Sequence, residues 1–497
     1  MFQQSPGVNF SEIDLTTVVP GVGTTAAAFA GKFNWGPVEE IITINNELNL
    51  VDRFGKPDQN TFTSFFTVSN FLAYADTMRM VRASNTFCVN ATSANSAGVL
   101  IKNRGHYEEN FEQGSNNGVF ATKYPGDLGN SIAVEMFASN NVSEFNTWAY
   151  KSYFDEVPST SDYVLGVNGV NDEMHIVVLD RGGKFTGSAN TVLERYAFIS
   201  KASDAVTSDG SSNYYKNVIN DRSKFVWWMN HPANTNWSGN TSPGTTFTAI
   251  SPSVYNMSGG VTSQPTDAEL ITAYRLFSNK DTVDISLVVM GDANVSVGID
   301  TIAWTEERQD AVVFLSPKRT DVIDASGSEA NNVITTRNSY SSSSYAFMDN
   351  AWKYQFDKYN NAYRWIPYNG DIAGLAVRTD TQRDAWFSFA GFNRGNIKNV
   401  IKSSWNPSKT DRDSLYSKGV NPIVSFPGEG TVLYGDKTML AKPSAFDRIN
   451  VRRLFIVLEK AISRAAKYSL FEFNDEFTRA QFVNLVEPFL RDVKGRR

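Results

Sequence analysis

The sequence predicts a multidomain protein of mixed α/β and α+β class, and three observations carry that expectation. The chain has 497 residues, room for about three domains of roughly 150 residues each. Residues 284–315 read as strand, helix, strand with continuous apolar runs, the pattern of a βαβ unit on a parallel sheet. Residues 132–260 read instead as strands joined by long connections rich in Ser, Asn and Gly, the pattern of a β-rich unit. Disorder is excluded, because 34 Phe, 20 Tyr and 10 Trp supply ample apolar surface to bury.

Taken in order, the first twenty residues carry Val8, Phe10, Ile13 and Leu15, and Val8-Asn9-Phe10-Ser11 alternates as a strand does. A lone terminal strand needs a sheet edge, which can belong to its own chain or to another. Residues 24–32 are apolar and small, Asn34-Trp35-Gly36-Pro37 is a turn, and 39–44 reads as a strand. Asn45-Asn46-Glu47 opens a short helix with Leu48, Leu50, Val51 and Phe54, which Gly55 and Pro57 end. A second helix over 62–76 and a strand over 78–83 follow. The polar stretch 85–118 is expected to be an irregular insertion, and Tyr124-Pro125-Gly126-Asp127-Leu128-Gly129 a turn.

Strands are expected over 132–137 and 174–179, and a helix over 191–200. Residues 266–279 predict a helix with Asp267 and Glu269 in its first turn. The βαβ unit comprises a buried strand at 284–290, a helix at 293–309 and a strand at 311–315. The polar segment 324–344 is expected to be a loop. The longest helical signal runs over 446–467, and after a short link at 470–473, Asn474 is placed to cap a last helix.

The βαβ unit raises the question of a nucleotide, and the glycines answer against one. Gly21-Val22-Gly23 is followed by Ala26 where a third glycine is needed, and Gly31-Lys32 lacks the earlier glycine of a phosphate loop. No Gly-X-Ser-X-Gly elbow occurs. His106, His175 and His231 are far apart in sequence, and Asp292, after a strand end, has no identifiable partner and reads as a turn residue. Cys88, between Phe87 and Val89, reads as packing, and a single cysteine excludes a disulfide framework within the chain. The expectation is therefore no catalytic residue, no metal and no cofactor. The start has no basic region leading into an apolar run, and no segment approaches a membrane span of about 20 apolar residues. Folding in a cytoplasm is expected.

A net charge of −6 is too mild for a nucleic-acid binder, but it is unevenly spread. Residues 445–497 hold eleven Lys/Arg against seven Asp/Glu, +4, which leaves −10 for the rest. Arg448, Arg452, Lys460, Arg464 and Lys467 recur mainly at helical spacing and form a basic stripe, with Arg453 beside it. Two readings are open: a solvated face with internal pairs to Asp447 and Glu459, or a surface for an acidic partner.

An ordered series of motifs then narrows the class. Lys353-Tyr354-Gln355-Phe356-Asp357-Lys358-Tyr359-Asn360 leads to Arg364-Trp365-Ile366-Pro367 and Asp371-Ile372-Ala373-Gly374-Leu375. Ala390-Gly391-Phe392-Asn393-Arg394-Gly395, Val432-Leu433-Tyr434-Gly435-Asp436-Lys437 and Phe446-Asp447-Arg448-Ile449-Asn450-Val451-Arg452-Arg453-Leu454-Phe455 follow. Together with Ser5-Pro6-Gly7-Val8, residues 30–37 and residues 124–129, this series resembles the tail sheath proteins of contractile-tailed, T-even-type bacteriophages. The resemblance covers most of the chain and breaks mainly at 85–118 and 140–260.

The resemblance implies a structural subunit of a contractile tail sheath. It implies six-membered rings stacked helically around a tail tube, meeting baseplate and tail terminator proteins, and contracting without nucleotide to drive the tube through the host envelope. It divides the chain into an N-terminal strand-donating arm (1–20), a first part of an α/β core (21–84), a reduced insertion loop (85–118), a β-rich outer domain (119–260), a second part of the core (261–395) and a helical, tube-facing inner domain (396–497). The sequence stops at Lys494-Gly495-Arg496-Arg497, short of the C-terminal arm the resemblance implies. Val8, Phe10, Ile13 and Leu15 are then expected to dock on a neighbour, and Arg448, Arg452, Arg453, Arg464 and Lys467 to face the tube or another subunit. The alternatives are the sheath of a bacterial contractile injection system or tailocin, an α/β enzyme, and a β-rich adhesin.

Overall fold

The computed structural model describes residues 23–94 and 97–496. Val8, Phe10, Ile13 and Leu15 lie outside the described residues. Seven strands form the central sheet: β1 (Ala27–Gly31), β2 (Ile42–Ile44), β3 (Met78–Arg82), β4 (Leu287–Val289), β5 (Val312–Leu315), β6 (Ala346–Asp349) and β7 (Val420–Asn421). Their spatial order is β7-β6-β5-β4-β1-β3-β2, parallel throughout except for β2 against β3. The chain therefore leaves β1 first to one side and later to the other.

Both faces of this sheet are covered, which is why its strands read as unbroken apolar runs. On one face Phe65, Phe66, Val68 and Phe71 pack with Ile372, Leu375 and Ala376. On the other Leu270, Ala273 and Tyr274 pack with Val297, Ile302 and Trp304. Local signals set the helix ends. Asn46 Oδ1 accepts from the amide of Asn49 at the start of Glu47–Phe54, and Gly55, at φ +79°, ends it. Thr266 and Glu269 close a capping box on Asp267–Arg275.

The second unit is antiparallel. Its four-stranded sheet has the order Thr191–Ser200, Glu173–Asp180, Ile132–Ala138, Ile250–Asn256, and Phe120–Thr122 pairs with Val226–Trp228 alongside. Part of the polar stretch 85–118 belongs to this unit. Helix Arg104–Asn110 lays Tyr107 on Trp227 with ring centroids 4.3 Å apart and planes at 7°.

Two sequence expectations are corrected. Residues Thr191–Ser200 form a strand, not a helix. Two register shifts against Glu173–Asp180, one at Phe198 with φ +52°, throw the side chains out of strict alternation, so the period of two is absent from the sequence. The polar segment 324–344 contains a helix, Glu329–Asn338. Ala330, Val333 and Ile334 are the only apolar residues of this helix, too few to show an amphipathic period; Val333 is buried and Thr336 Oγ1 donates to Asp321 Oδ2 at 2.6 Å.

Three further helices and a hairpin position the candidate site. Helix α1 (Asn369–Gln382) starts at the carboxyl edge of the central sheet, where Asn369 Nδ2 donates to Gly291 O at 2.7 Å. Helices α2 (Ile449–Lys467) and α3 (Glu476–Gly495) complete the C-terminal region. Asp475, one residue after the expected Asn474, caps α3 through the amide of Thr478 at 2.8 Å. The hairpin Ile423–Phe426/Gly430–Leu433 follows β7 directly and so lies at the carboxyl edge.

Candidate functional site

The motifs that carried the resemblance bind one another. Lys353, on strand Trp352–Asp357, reaches Asp371 in the first turn of α1 at 2.9 Å, with both side chains buried. Arg82 is buried and donates to Gly36 O at 2.9 Å and Pro125 O at 2.7 Å, joining the two turn motifs across the units. Arg448 Nη1 meets Asp436 Oδ1 at 2.6 Å and also Tyr416 Oη. These are fold-holding contacts, and none assembles a nucleophile with a base. Among the described residues no group of three His, Cys, Asp or Glu side chains could hold a metal ion.

Near Asp371 lies Asp349, at the end of β6. Burial pushes its carboxyl up to about 8, against a 2.5 Å hydrogen bond from Ser316 Oγ and one from the Ala351 amide that favour the charge. The Asp371 carboxylate adds to the upward shift.

Helix α2 crosses the amino edge of the central sheet. Arg452 stacks its guanidinium 3.9 Å from the Phe446 centroid and 4.3 Å from that of Tyr345, which precedes β6. Arg453 makes a two-pronged contact with Asp380 near the end of α1, at 2.8 and 2.5 Å. Lys460 reaches Asp284 Oδ1 at 3.1 Å and Ile285 O at 2.7 Å before β4, and Asp310 Oδ2 at 3.6 Å before β5. Arg464 adds a 2.5 Å contact to Asp284 Oδ2. Burial works to raise the Asp284 carboxyl, but Lys460 and Arg464 outweigh it and hold the group below its ordinary value.

The expected basic stripe is thus corrected in part. Arg452 and Arg453 are buried and face into the molecule; they are not a free surface. The internal pairs exist, but mainly to Asp284, Asp310, Asp380 and Asp436 rather than to Asp447 and Glu459. Helical spacing cannot distinguish water from a carboxylate-lined sheet edge whose residues lie up to 180 positions away. Arg448 and Arg464 are half-buried, and Lys467 alone of the named cations is exposed.

The sequence reading missed an apolar surface. Helix α3 has no buried residue, although it is twenty residues long. It touches α2 through Leu485 and Phe489 against Ala461 and Ala465. Relative exposure is 80% at Tyr468, 104% at Phe471, 85% at Phe473 and 69% at Phe477, and Leu470, Val483 and Leu490 are exposed as well. Such a contiguous apolar run in water marks an interaction surface. Its signal was present in the sequence, since a connection of 468–473 with four large apolar side chains is not a solvent loop.

Residues 281–439 match the phage tail sheath protein central domain, and residues 24–83 match the N-terminal region of domain III of the tail sheath protein Gp18. The chain is 30% identical to the tail sheath protein of Vibrio phage KVP40, over 99% of this chain and 90% of the relative. It is 29% identical to that of Enterobacteria phage T4 over the same shares, and 28% identical to that of Salmonella phage ViI over 99% and 88%. Among solved structures, a sheath tail protein from Listeria innocua superposes with TM-score 0.58 at 11% identity, over 96% of this chain and 86% of the other. One from Desulfitobacterium hafniense does so with TM-score 0.56 at 11% identity, over 99% and 89%.

Proposed function

We propose a division of labour within this chain, which belongs to the tail sheath protein family and is a structural subunit of a contractile tail sheath. The central sheet with α1 and α2 is the rigid body. The apolar surface of Tyr468 to Phe473 and α3 is the part another protein covers, and this exposure carries the reading. The subunits associate with one another as six-membered rings stacked helically around a tail tube, assembled in the host cytoplasm. Baseplate and tail terminator proteins bound the stack. The chain performs no catalysis: free energy is stored in assembly and released on contraction.

Residues 1–20, through Val8, Phe10, Ile13 and Leu15, add a strand to a sheet edge of a neighbour. Lys467, with the exposed parts of Arg448 and Arg464, meets the tube or an adjacent subunit. Arg452 and Arg453 act indirectly, by holding α2 so that α3 is presented in one position. Exposed ion pairs of roughly 0–1 kcal/mol each suit a surface that must release and slide.

Negative-stain electron microscopy of the concentrated chain is expected to give stacked rings or tubes. Monomers at all concentrations would overturn self-association as the function of this surface. A second result is expected from Phe471→Asp combined with Phe473→Asp. Both side chains are exposed, so unfolding should shift by no more than about 0.5 kcal/mol for each. Assembly should nevertheless be lost, as read by sedimentation velocity. Normal assembly of the double variant would remove the connection from the interface.

A further inference from the structure

The hairpin Ile423–Phe426/Gly430–Leu433 closes its two outer edges differently. The edge of Gly430–Leu433 is closed by main chain: Ile397 N donates to Thr431 O at 3.0 Å, Leu433 N to Gly395 O at 2.9 Å and Gly391 N to Leu433 O at 2.8 Å. The edge of Ile423–Phe426 is closed by side-chain amides. Ile423 N donates to Asn350 Oδ1 at 2.7 Å, and Asn350 is buried. Ser425 N donates to Asn406 Oδ1 at 2.9 Å, while Asn406 Nδ2 donates back to Ser425 O at 3.1 Å. Asn406 is exposed. Its amide therefore copies one peptide group of an absent strand, and an unpaired edge is the template such a strand seeks. A groove of about 620 Å³ runs along the hairpin beside Asn406, lined by Ser425, Phe426, Gly430 and Thr431 of both strands and by Val400 and Trp405.

One segment of this chain has the sequence pattern of a strand that such an edge would pair with. The 22 residues before Gly23 are outside the described residues, and Val8-Asn9-Phe10-Ser11 has the alternation of a strand. Gly23 stands at the amino edge of the central sheet, its carbonyl accepting from Ser286 Oγ, while the hairpin lies at the carboxyl edge. Donor and acceptor at opposite edges of one sheet make a head-to-tail contact between copies, the heterologous kind that builds rings and open stacks.

We propose that Asn406 is a displaceable guard of this edge: it holds the strand-pairing groups of Ser425 in the isolated subunit and gives way to the N-terminal segment of a second copy. The proposal rests on the reading above that residues 1–20 donate a strand. It adds a residue that sets when the edge becomes available and keeps free subunits from pairing indiscriminately.

The test is fluorescence anisotropy with a labelled peptide of residues 1–20, titrated into the full chain and into its Asn406→Ala variant. Two competing hydrogen bonds disappear in the variant, so its affinity for the peptide is expected to rise about tenfold. Asn406→Asp keeps the acceptor for Ser425 N–H and loses the donor, and should fall between. A peptide N-methylated at alternate residues should bind neither protein. Equal affinity of wild type and Asn406→Ala would overturn the guard while leaving strand donation standing. No binding of the unmodified peptide to either protein would overturn strand donation itself, and the guard with it.

Discussion

Replacing Lys353 by methionine is expected to cost about 3–5 kcal/mol, because it leaves the Asp371 carboxylate buried without its partner. The loss should appear as a lowered urea midpoint of the unit built on the central sheet, and as faster hydrogen exchange in α1, whose first turn Asp371 occupies. Combining Lys353→Met with Asp371→Leu should recover most of it, since two apolar side chains no longer strand a charge. Should Lys353→Met be as stable as the parent, the pair would be a neutral feature of the core. The prediction bears on function through rigidity. The pair ties strand Trp352–Asp357 to α1, and α1 carries the Asp380 that holds Arg453 of α2. Loosening it should weaken assembly through a helix whose exposed surface is untouched.

Asp349→Asn is expected to remove a loss of stability that runs from about pH 4 to about pH 8. The carboxyl stands at about 8 in the folded chain against about 4 when unfolded, so folding takes up a proton between those values. Stability contributed by the neutral group is present below about pH 4 and falls by about 1.4 kcal/mol per pH unit up to about pH 8, where the loss is complete. Asp371 and Tyr368 lie near it, and Ser316 Oγ and the Ala351 amide are its hydrogen-bond partners. Asparagine keeps an oxygen for the Ala351 amide and cannot ionise. Urea midpoints taken between pH 5 and 9 should slope downward in the parent and flatten in the variant. Parallel curves would mean that Asp349 is charged in the fold. Such a group sets an upper pH for the integrity of the subunit core.

The parts of the fold legible in the sequence are those fixed within a few residues. Leu287–Val289 and Val312–Leu315 are apolar on both faces because helices cover both sides of the sheet, and that continuity is visible without coordinates. Asn46, Gly55 and the Thr266–Glu269 box mark helix ends because each cap bonds only to the adjacent turn. The motifs at 353–360, 371–375, 432–437 and 446–455 marked the family for a reason the structure supplies: Lys353 meets Asp371, and Asp436 meets Arg448.

By itself the sequence determined the mixed α/β class, the parallel βαβ core, the ends of a few helices such as Glu47–Phe54 and, through its ordered motifs, membership of the sheath family. Tertiary structure alone decided three matters. Thr191–Ser200 became a strand, because pairing with Glu173–Asp180 across two register shifts outweighs any local period. Arg452 and Arg453 turned inward, because Tyr345 and Asp380 arrive from 107 and 73 residues away. Phe471, Phe473 and most of α3 remained uncovered, because the core takes Ile449 and Ile456 of α2, and α3 reaches α2 through Leu485 and Phe489 at Ala461 and Ala465. Periodicity and capping act over about four residues, whereas burial depends on which distant segments meet, and for a subunit of an assembly that meeting continues into the next chain.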